Sequence, residues 1–300
     1  MTSAHRGEAA AVDGDVSLII PSRERPQLLL DAVRSVLAGD ALPAEIVVVD
    51  QSRAPNRELA ELERVVYVPS RSVGLSAARN LGIGASHHAV LVFLDDDMLV
   101  DRGWLRAIVA ELRRRGPGWT VTGQVLEGAA EHEGAFQMSV LADASPREYA
   151  GRSLNDVLYT GNMAIWRELL ERVGRFDERL GAGSRFPGAE DNDFGYRLLG
   201  LGARIAYVPA ATVEHRAWRP PDEYVRMRWR YGLGQGGFYA KHAARGDRFI
   251  VRRAARHVGH YVRRLPGRLR HEPLRARGDV AFVGGMIVGG GRWLVEHGRR

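Results

Sequence analysis

The apolar residues of this chain switch between two spacings, and the switches mark out its elements. Residues 16–20 are a mostly aliphatic run, Val-Ser-Leu-Ile-Ile, stopped by Pro21 as in a buried strand. Leu29, Val33, Val36 and Leu37 then recur on one helical face, which Gly39 closes. Residues 45–50 predict a second strand ending on Asp50, residues 65–68 a third, and residues 75–84 a short helix. A fourth strand over 89–94 runs into Asp95-Asp96-Asp97, and 104–115 returns as an amphipathic helix. Strands alternating with helices through short loops predict an α/β fold with a mostly parallel central sheet flanked by helices. Ligands of such sheets bind beyond the carboxyl ends of the strands, where Asp50 and the aspartate triplet fall.

The pattern weakens over 127–156, a stretch rich in Gly, Ala and acids that reads as a variable connection. It resumes as an edge strand over 159–166, a helix over 167–173 and a loop over 181–188. A helix over 191–199 and a strand over 204–208, stopped by Pro209, follow. From Pro220 the chain is Arg-rich and helical in pattern, punctuated at Pro266-Gly267.

Charge changes this picture more than composition does. The net charge is +7, yet residues 216–300 hold 20 Lys+Arg against 6 Asp+Glu, while the rest of the chain holds 23 against 30. An acidic body with a basic C-terminal third predicts a catalytic module plus a patch for an anionic partner or surface. There is no cysteine, which excludes a disulfide framework, thiolate metal sites and thiol nucleophiles, and suits a reducing cytoplasm. No run of about 18 or more apolar residues predicts a bilayer span. The opening residues lack the apolar segment of a signal peptide.

Three groups of residues carry chemistry. Asp95-Asp96-Asp97 ends a buried strand, and adjacent carboxylates repel unless a cation neutralises them. Hard oxygen ligands suit Mg²⁺ or Mn²⁺ held together with substrate phosphates, the other reading being an acidic turn that caps the next helix. Glu190 and Asp191 open a helix, where a carboxylate can act as a general base or serve as an ordinary first-turn acid. His215 follows a strand, as a metal ligand or a structural histidine.

Taken in order, the strings Leu18-Ile-Ile-Pro-Ser-Arg23, Val47-Val-Val-Asp50, Gly74-Leu-Ser-Ala-Ala-Arg-Asn80 and Phe93-Leu-Asp-Asp-Asp97 resemble family 2 glycosyltransferases of the GT-A fold. The resemblance continues through Gly161-Asn-Met-Ala164, Gly174-Arg-Phe-Asp-Glu178, Glu190-Asp-Asn-Asp193 and Pro209 to His215. It implies an inverting transferase that moves a sugar from a nucleotide-diphosphate donor, UDP by default, to an acceptor hydroxyl, and the lack of both spanning segments and the Gln of the processive Q-x-x-R-W signature predicts that it is non-processive. The acceptor would be a sugar, a lipid-linked molecule or a small molecule, and the cofactor Mn²⁺ or Mg²⁺. By the same resemblance Asp191 is the catalytic base, and Pro21, Arg23, Asp50, Arg79, Asp95 and Asp96 belong to the donor side. Asp97 and His215 address the metal, Glu190 and Asp193 stand next in line as base, and Gly161-Asn-Met163 and Phe176-Asp-Glu178 are mainly structural or on the acceptor side.

The implied organisation is a flexible tail over 1–14, a nucleotide-sugar part over 15–125, an acceptor and catalytic part over 126–219, and a basic helical extension over 220–300. Within that extension Gly232-Leu-Gly-Gln-Gly-Gly237 fits a dinucleotide fingerprint without the strand it requires, and is expected to be a hinge or lid. Val225-Arg-Met-Arg-Trp229 partly resembles a signature of processive synthases, so Arg228 and Trp229 are expected to close over the donor diphosphate, stack on a sugar, or pack within a helix. The basic surface fits anionic lipid headgroups, an acidic protein or nucleic acid. A membrane-proximal acceptor favours the lipid over nucleic acid, giving a cytoplasmic protein peripheral on the inner face of the membrane. Two rivals are a non-catalytic membrane- or nucleic-acid-binding protein on the same scaffold, and a sugar nucleotidyltransferase. The second expects a Lys-containing N-terminal loop, whereas the one lysine here is Lys241.

Overall fold

Two spacings of apolar residues give two layers of helices around one sheet. The computed structural model describes residues 11–129, 136–216 and 218–298. In chain order the elements are β1 (Ala11–Ser22), α1 (Pro26–Leu37), β2 (Ala41–Asp50), the single turn α2 (Arg57–Ala60), β3 (Val65–Pro69) and α3 (Leu75–Ala85). Next come β4 (Val90–Leu94), β5 (Met98–Val100), α4 (Trp104–Arg115), β6 (Trp119–Glu127), β7 (Arg147–Ala150), β8 (Asn162–Trp166) and α5 (Arg167–Val173). The chain ends with α6 (Glu190–Gly200), β9 (Arg204–His215), α7 (Tyr224–Ala243), α8 (Arg248–His271) and α9 (Pro273–His297). β1 begins at Ala11, so residues 1–10 of the expected tail lie outside the described residues.

The sheet order is β3-β2-β1-β4-β8-β6-β9-β5, with β7 added on β9. The first four strands are parallel, as the alternation of strands and helices predicts, and β6 and β9 are parallel again. β8 is expected at an edge but lies antiparallel between β4 and β6. Its residues Asn162 to Ile165 are buried, which a central strand requires and an edge strand does not. β9 also runs on through Pro209, where a stop is expected. Its register against β6 jumps between Gly123 and Gln124, leaving Pro209 in a bulge that asks for no ladder hydrogen bond from it.

Alternate side chains sort to the two faces. Leu18, Ile20, Ile46, Val48 and Val92 pack with Leu29, Val33, Trp104 and Ile108 of α1 and α4. Ile19, Val47, Val49, Leu91 and Phe93 pack with Ala78, Leu169, Phe194 and Leu198 of α3, α5 and α6. A third cluster, with Phe186, Tyr196, Phe238, Phe282 and Trp293, seats the C-terminal helices on the body.

The glycine-rich string is not a hinge. α7 passes through it unbroken, and a Cβ on Gly236 would lie 2.1 Å from the Met286 carbonyl oxygen of α9. A Cβ on Gly289 would lie 2.2 Å from that of Leu233, so the two helices touch backbone to backbone and side chains are excluded there. Pro266 does not punctuate either; α8 continues past it and the break falls at Glu272-Pro273. No helix among the described residues is long and apolar enough to cross a membrane.

Candidate active site

The carboxyl ends of β1, β2 and β4 open onto a cavity of about 490 Å³, closed on the far side by the loop before α6 and by α7. That size suits a small ligand. Pro21, Arg23, Asp95, Asp96, Asp97, Glu190, Asp191 and His215 all line it. Residues more than 100 positions apart in sequence therefore meet in one place, as the motif reading expects.

Arg79 joins the two acidic groups. It projects from α3 with 1% of its side chain exposed and donates to Asp95 Oδ1 at 2.8 Å. Its other nitrogen lies 3.5 Å from Asp191 Oδ1 and 3.8 Å from Glu190 Oε1. Gly161 makes room for this arrangement, since a Cβ there would fall 2.2 Å from Asp95 Oδ2. The Thr160 hydroxyl donates to Asp191, which gives that carboxylate a second fixed partner. Burial pushes the Asp191 carboxyl up, against the pull of Arg79 and Thr160. Burial and the neighbouring Asp191 charge carry Glu190 up to about 7, with Arg79 again opposing.

The other two aspartates have a different set of partners. Asp96 accepts from the Ser22 hydroxyl at 2.6 Å and from Arg25 at 3.0 Å. Asp97 accepts from Arg25 at 2.7 Å and lies 3.4 Å from His215 Nε2. Burial pushes both carboxyls up. For Asp96 it prevails, with the Asp97 charge, and the group rises to about 6. For Asp97 the contacts with His215 and Arg25 outweigh it and hold the group near about 2.

Two of these side chains form a donor set for a divalent cation. Asp97 offers a hard oxygen, which suits Mn²⁺ or Mg²⁺, and His215 an imidazole nitrogen, which Mn²⁺ takes more readily than Mg²⁺. His215 Nδ1 is buried without a hydrogen-bond partner, so the ring is not committed elsewhere. No group of three or more such ligands occurs among the described residues. The protein thus fits a metal that takes its remaining ligands from substrate phosphates and water, the usual habit of Mg²⁺.

Other expected residues sit elsewhere. Asp50 is buried behind the cavity wall, accepting from the Tyr67 hydroxyl at 2.6 Å and the Ser52 amide at 2.9 Å, while Gln51 lines the cavity. Asp193 is 1% exposed and bound to Lys241 at 2.7 Å, His242 at 2.8 Å and Arg197 at 2.8 Å. Burial pushes its carboxyl up, but these partners drive it far below the usual range, which makes it a brace between α6 and α7. Arg228 turns away toward Tyr261 and Asp279, and Trp229 packs on Gly284 of α9. Neither lines the cavity; Arg226, Met227, Arg230 and Tyr231 of the same helix do.

Arg25 was missed by sequence reasoning, which stopped at Arg23. Glu24 has φ 55°, a left-handed turn that leaves Arg23 exposed and swings Arg25 onto the aspartates. The expected structural elements do brace the site. Asn162 accepts from the Trp104 indole and donates to the Gln124 and Ala211 carbonyls, and Asn80 bonds the Phe176 backbone and Glu178.

Comparison with known proteins bears on the family and the fold. The pre-mycofactocin glycosyltransferase of Mycobacterium tuberculosis is 28% identical over 241 residues, covering 76% of this chain and 48% of that protein. Glycosyltransferase AglE of Haloferax volcanii is 27% identical over 230 residues, covering 73% and 72%. This chain therefore spans about half the length of the first relative. In fold it is similar to mannosyltransferase PcManGT from Pyrobaculum calidifontis, solved with GDP-Man and Mn²⁺, with a TM-score of 0.61 at 16% identity over 92% of this chain and 86% of that one. Residues 17–174, more than half of the sequence, match the family model for glycosyl transferase family 2, and the chain belongs to that family.

Proposed function

We propose that this protein is an inverting, metal-dependent and non-processive glycosyltransferase that moves a sugar from a nucleotide-diphosphate donor to an acceptor hydroxyl. The observation that carries the reading is the convergence of the aspartate triplet, His215 and Glu190-Asp191 on one cavity, with Arg79 between them. The nucleotide end lies at the strand-end loops with Pro21, Arg23 and Gln51, and UDP is the default donor. The same reading divides the chain into a nucleotide part over 15–125, an acceptor part over 126–219 and a helical extension over 220–300.

Asp97 and His215 would hold Mn²⁺ or Mg²⁺, which when bound offsets the charge of a leaving diphosphate. Asp191 takes the proton of the acceptor hydroxyl as it attacks. A carboxyl raised by burial is a better base near neutral pH than an exposed aspartate, and Arg79 and Thr160 fix its orientation. Glu190 lacks the Thr160 hydroxyl that fixes the Asp191 carboxylate, so Asp191 is the base of the two. Asp193 is spent on α7. The solved relative with GDP-Man and Mn²⁺ supports the donor class and the metal, and the fold likeness goes no further.

The partner of the C-terminal region is an anionic membrane surface, which places the protein peripherally on the inner face. α8 carries eight arginines and no acid, and Val280, Ile287 and Val295 of α9 are exposed. A thermal-shift panel of UDP, GDP, dTDP and their sugars, with and without Mn²⁺, tests the donor reading. One nucleotide diphosphate should raise the melting temperature only with metal; no response to any of them would contradict it.

A further inference from the structure

Two arginines of the cavity wall have no task in the reading above. Arg219 follows His215 by four residues and Arg230 lies on α7; both line the cavity, and neither forms an ion pair with a described residue. The neighbouring cations are committed. Arg25 holds Asp96 and Asp97, Arg79 holds Asp95 and Asp191, and Arg226 holds Glu223 at 2.6 Å. Arg23 is also without an ion pair, but it belongs to the loop after β1 at the nucleotide end.

Their side of the cavity can be fixed from packing. A Cβ on Gly188 would meet the Tyr231 ring at 3.4 Å, and one on Gly234 would lie 2.6 Å from the Pro187 and Gly188 carbonyl oxygens. This stretch of α7 therefore rests on the loop that leads directly into Glu190 and Asp191. The Tyr231 phenol is pushed up by burial, then by Glu190 and Asp97, and drawn down by Arg219 and Arg230, so these groups share one end of the cavity. Two guanidiniums without an ion pair among the described residues thus line the end of the cavity that Tyr231 shares with Glu190, the neighbour of the base, and with Asp97. Arginine forks match phosphate and carboxylate oxygens, and an unpaired pair of them in a cleft is a place for an anion.

We propose that Arg219 and Arg230 form an anion subsite for the acceptor, so that the acceptor carries a phosphate or carboxylate close to the hydroxyl that is glycosylated. This rests on the assignment of Asp191 as base, which makes the α7 side the acceptor side. A soluble sugar phosphate, a sugar acid and a lipid phosphate share that chemistry.

The test is calorimetric titration of the full chain, with and without UDP and Mn²⁺. The probes are glucose 6-phosphate, glucuronate and farnesyl phosphate, with glucose and farnesol in matching detergent as neutral controls. At least one anionic probe should bind about tenfold or more tightly than its neutral counterpart, the scale of one charge-assisted hydrogen bond. The probe that binds separates a soluble from a lipid source. Arg219→Gln and Arg230→Gln should each weaken it about tenfold, leaving UDP affinity within about threefold and thermal unfolding unchanged. Equal losses of UDP and probe affinity would put the arginines on the donor diphosphate and overturn the proposal. So would variants that bind the probe like wild type, or the absence of any anionic binding. If UDP itself fails to bind, the donor reading falls, while the titrations without UDP still decide the subsite.

Discussion

Arg79→Met removes the cation that three carboxylates share, together with its position 5.4 Å over the Phe176 ring, and keeps an unbranched side chain in its place. Taking one partner from a buried ion pair costs about 3–5 kcal/mol, because the other charge is left without compensation. Here the side chains of Asp95 and Asp191 keep 19% and 22% exposure toward the cavity and can recover some hydration. We therefore expect the lower end, about 3 kcal/mol, in urea unfolding at pH 8. The loss should depend on pH with a defined sign. Glu190 and Asp191 already have carboxyls raised above their unfolded values, Glu190 from 4.5 to about 7, so each costs stability once ionised and stops doing so as pH falls through its folded value. Arg79 opposes both shifts, so its removal raises both further. The deficit of Arg79→Met should then be greatest at pH 8 and shrink clearly by pH 5.5. A deficit under about 1 kcal/mol at pH 8, or one that ignores pH, would refute the idea that Arg79 compensates this cluster.

Asp191→Asn should leave UDP affinity near wild type and lower turnover about a hundredfold or more, the usual effect of losing a general base. Donor binding lost together with turnover in steady-state kinetics would move the base elsewhere. Gly236→Leu forces a side chain onto the Met286 carbonyl and should destabilise the protein by about 2 kcal/mol or more in thermal unfolding. Gly291→Ala, in open space on α9, should instead be neutral or stabilise by up to about 1 kcal/mol. Anionic but not neutral liposomes should sediment the protein at low salt, with most of the binding gone by about 0.5 M. Reversing charge at Arg252, Arg263 and Arg264 should weaken this. Arg253 is left out of that set because it is 3% exposed and holds Asp156.

The parallel half of the fold was legible because each strand is an unbroken apolar run and each helix keeps one apolar face. The second half was not. β6 and β8 are largely buried strands whose partners come from distant parts of the chain, and nothing local says that β8 is central. Pro209 reads as a stop because the bulge that accommodates it depends on the register of β6. The glycines of α7 read as a hinge because their reason, the backbone of α9, lies some fifty residues on. At the site, the aspartates, Glu190, Asp191 and His215 announced themselves by charge at strand and helix ends. Arg25 did not, since only the left-handed turn at Glu24 turns it inward. Likewise Arg228 was chosen over Arg226 and Arg230 by a sequence likeness, whereas the helix phase of α7 decides which of them face the cavity.

Isothermal titration of UDP against wild type and Asp97→Asn, each with Mn²⁺ and with EDTA, tests the central claim most directly. The claim is that one cavity binds a nucleotide diphosphate through a metal held by Asp97 and His215. Wild type should bind UDP in Mn²⁺ and lose most of that affinity in EDTA, while Asp97→Asn should bind weakly in both and still unfold cooperatively, at a somewhat lower temperature because its contacts with Arg25 and His215 are weakened. UDP affinity that ignores EDTA, or that survives Asp97→Asn unchanged, would contradict the account.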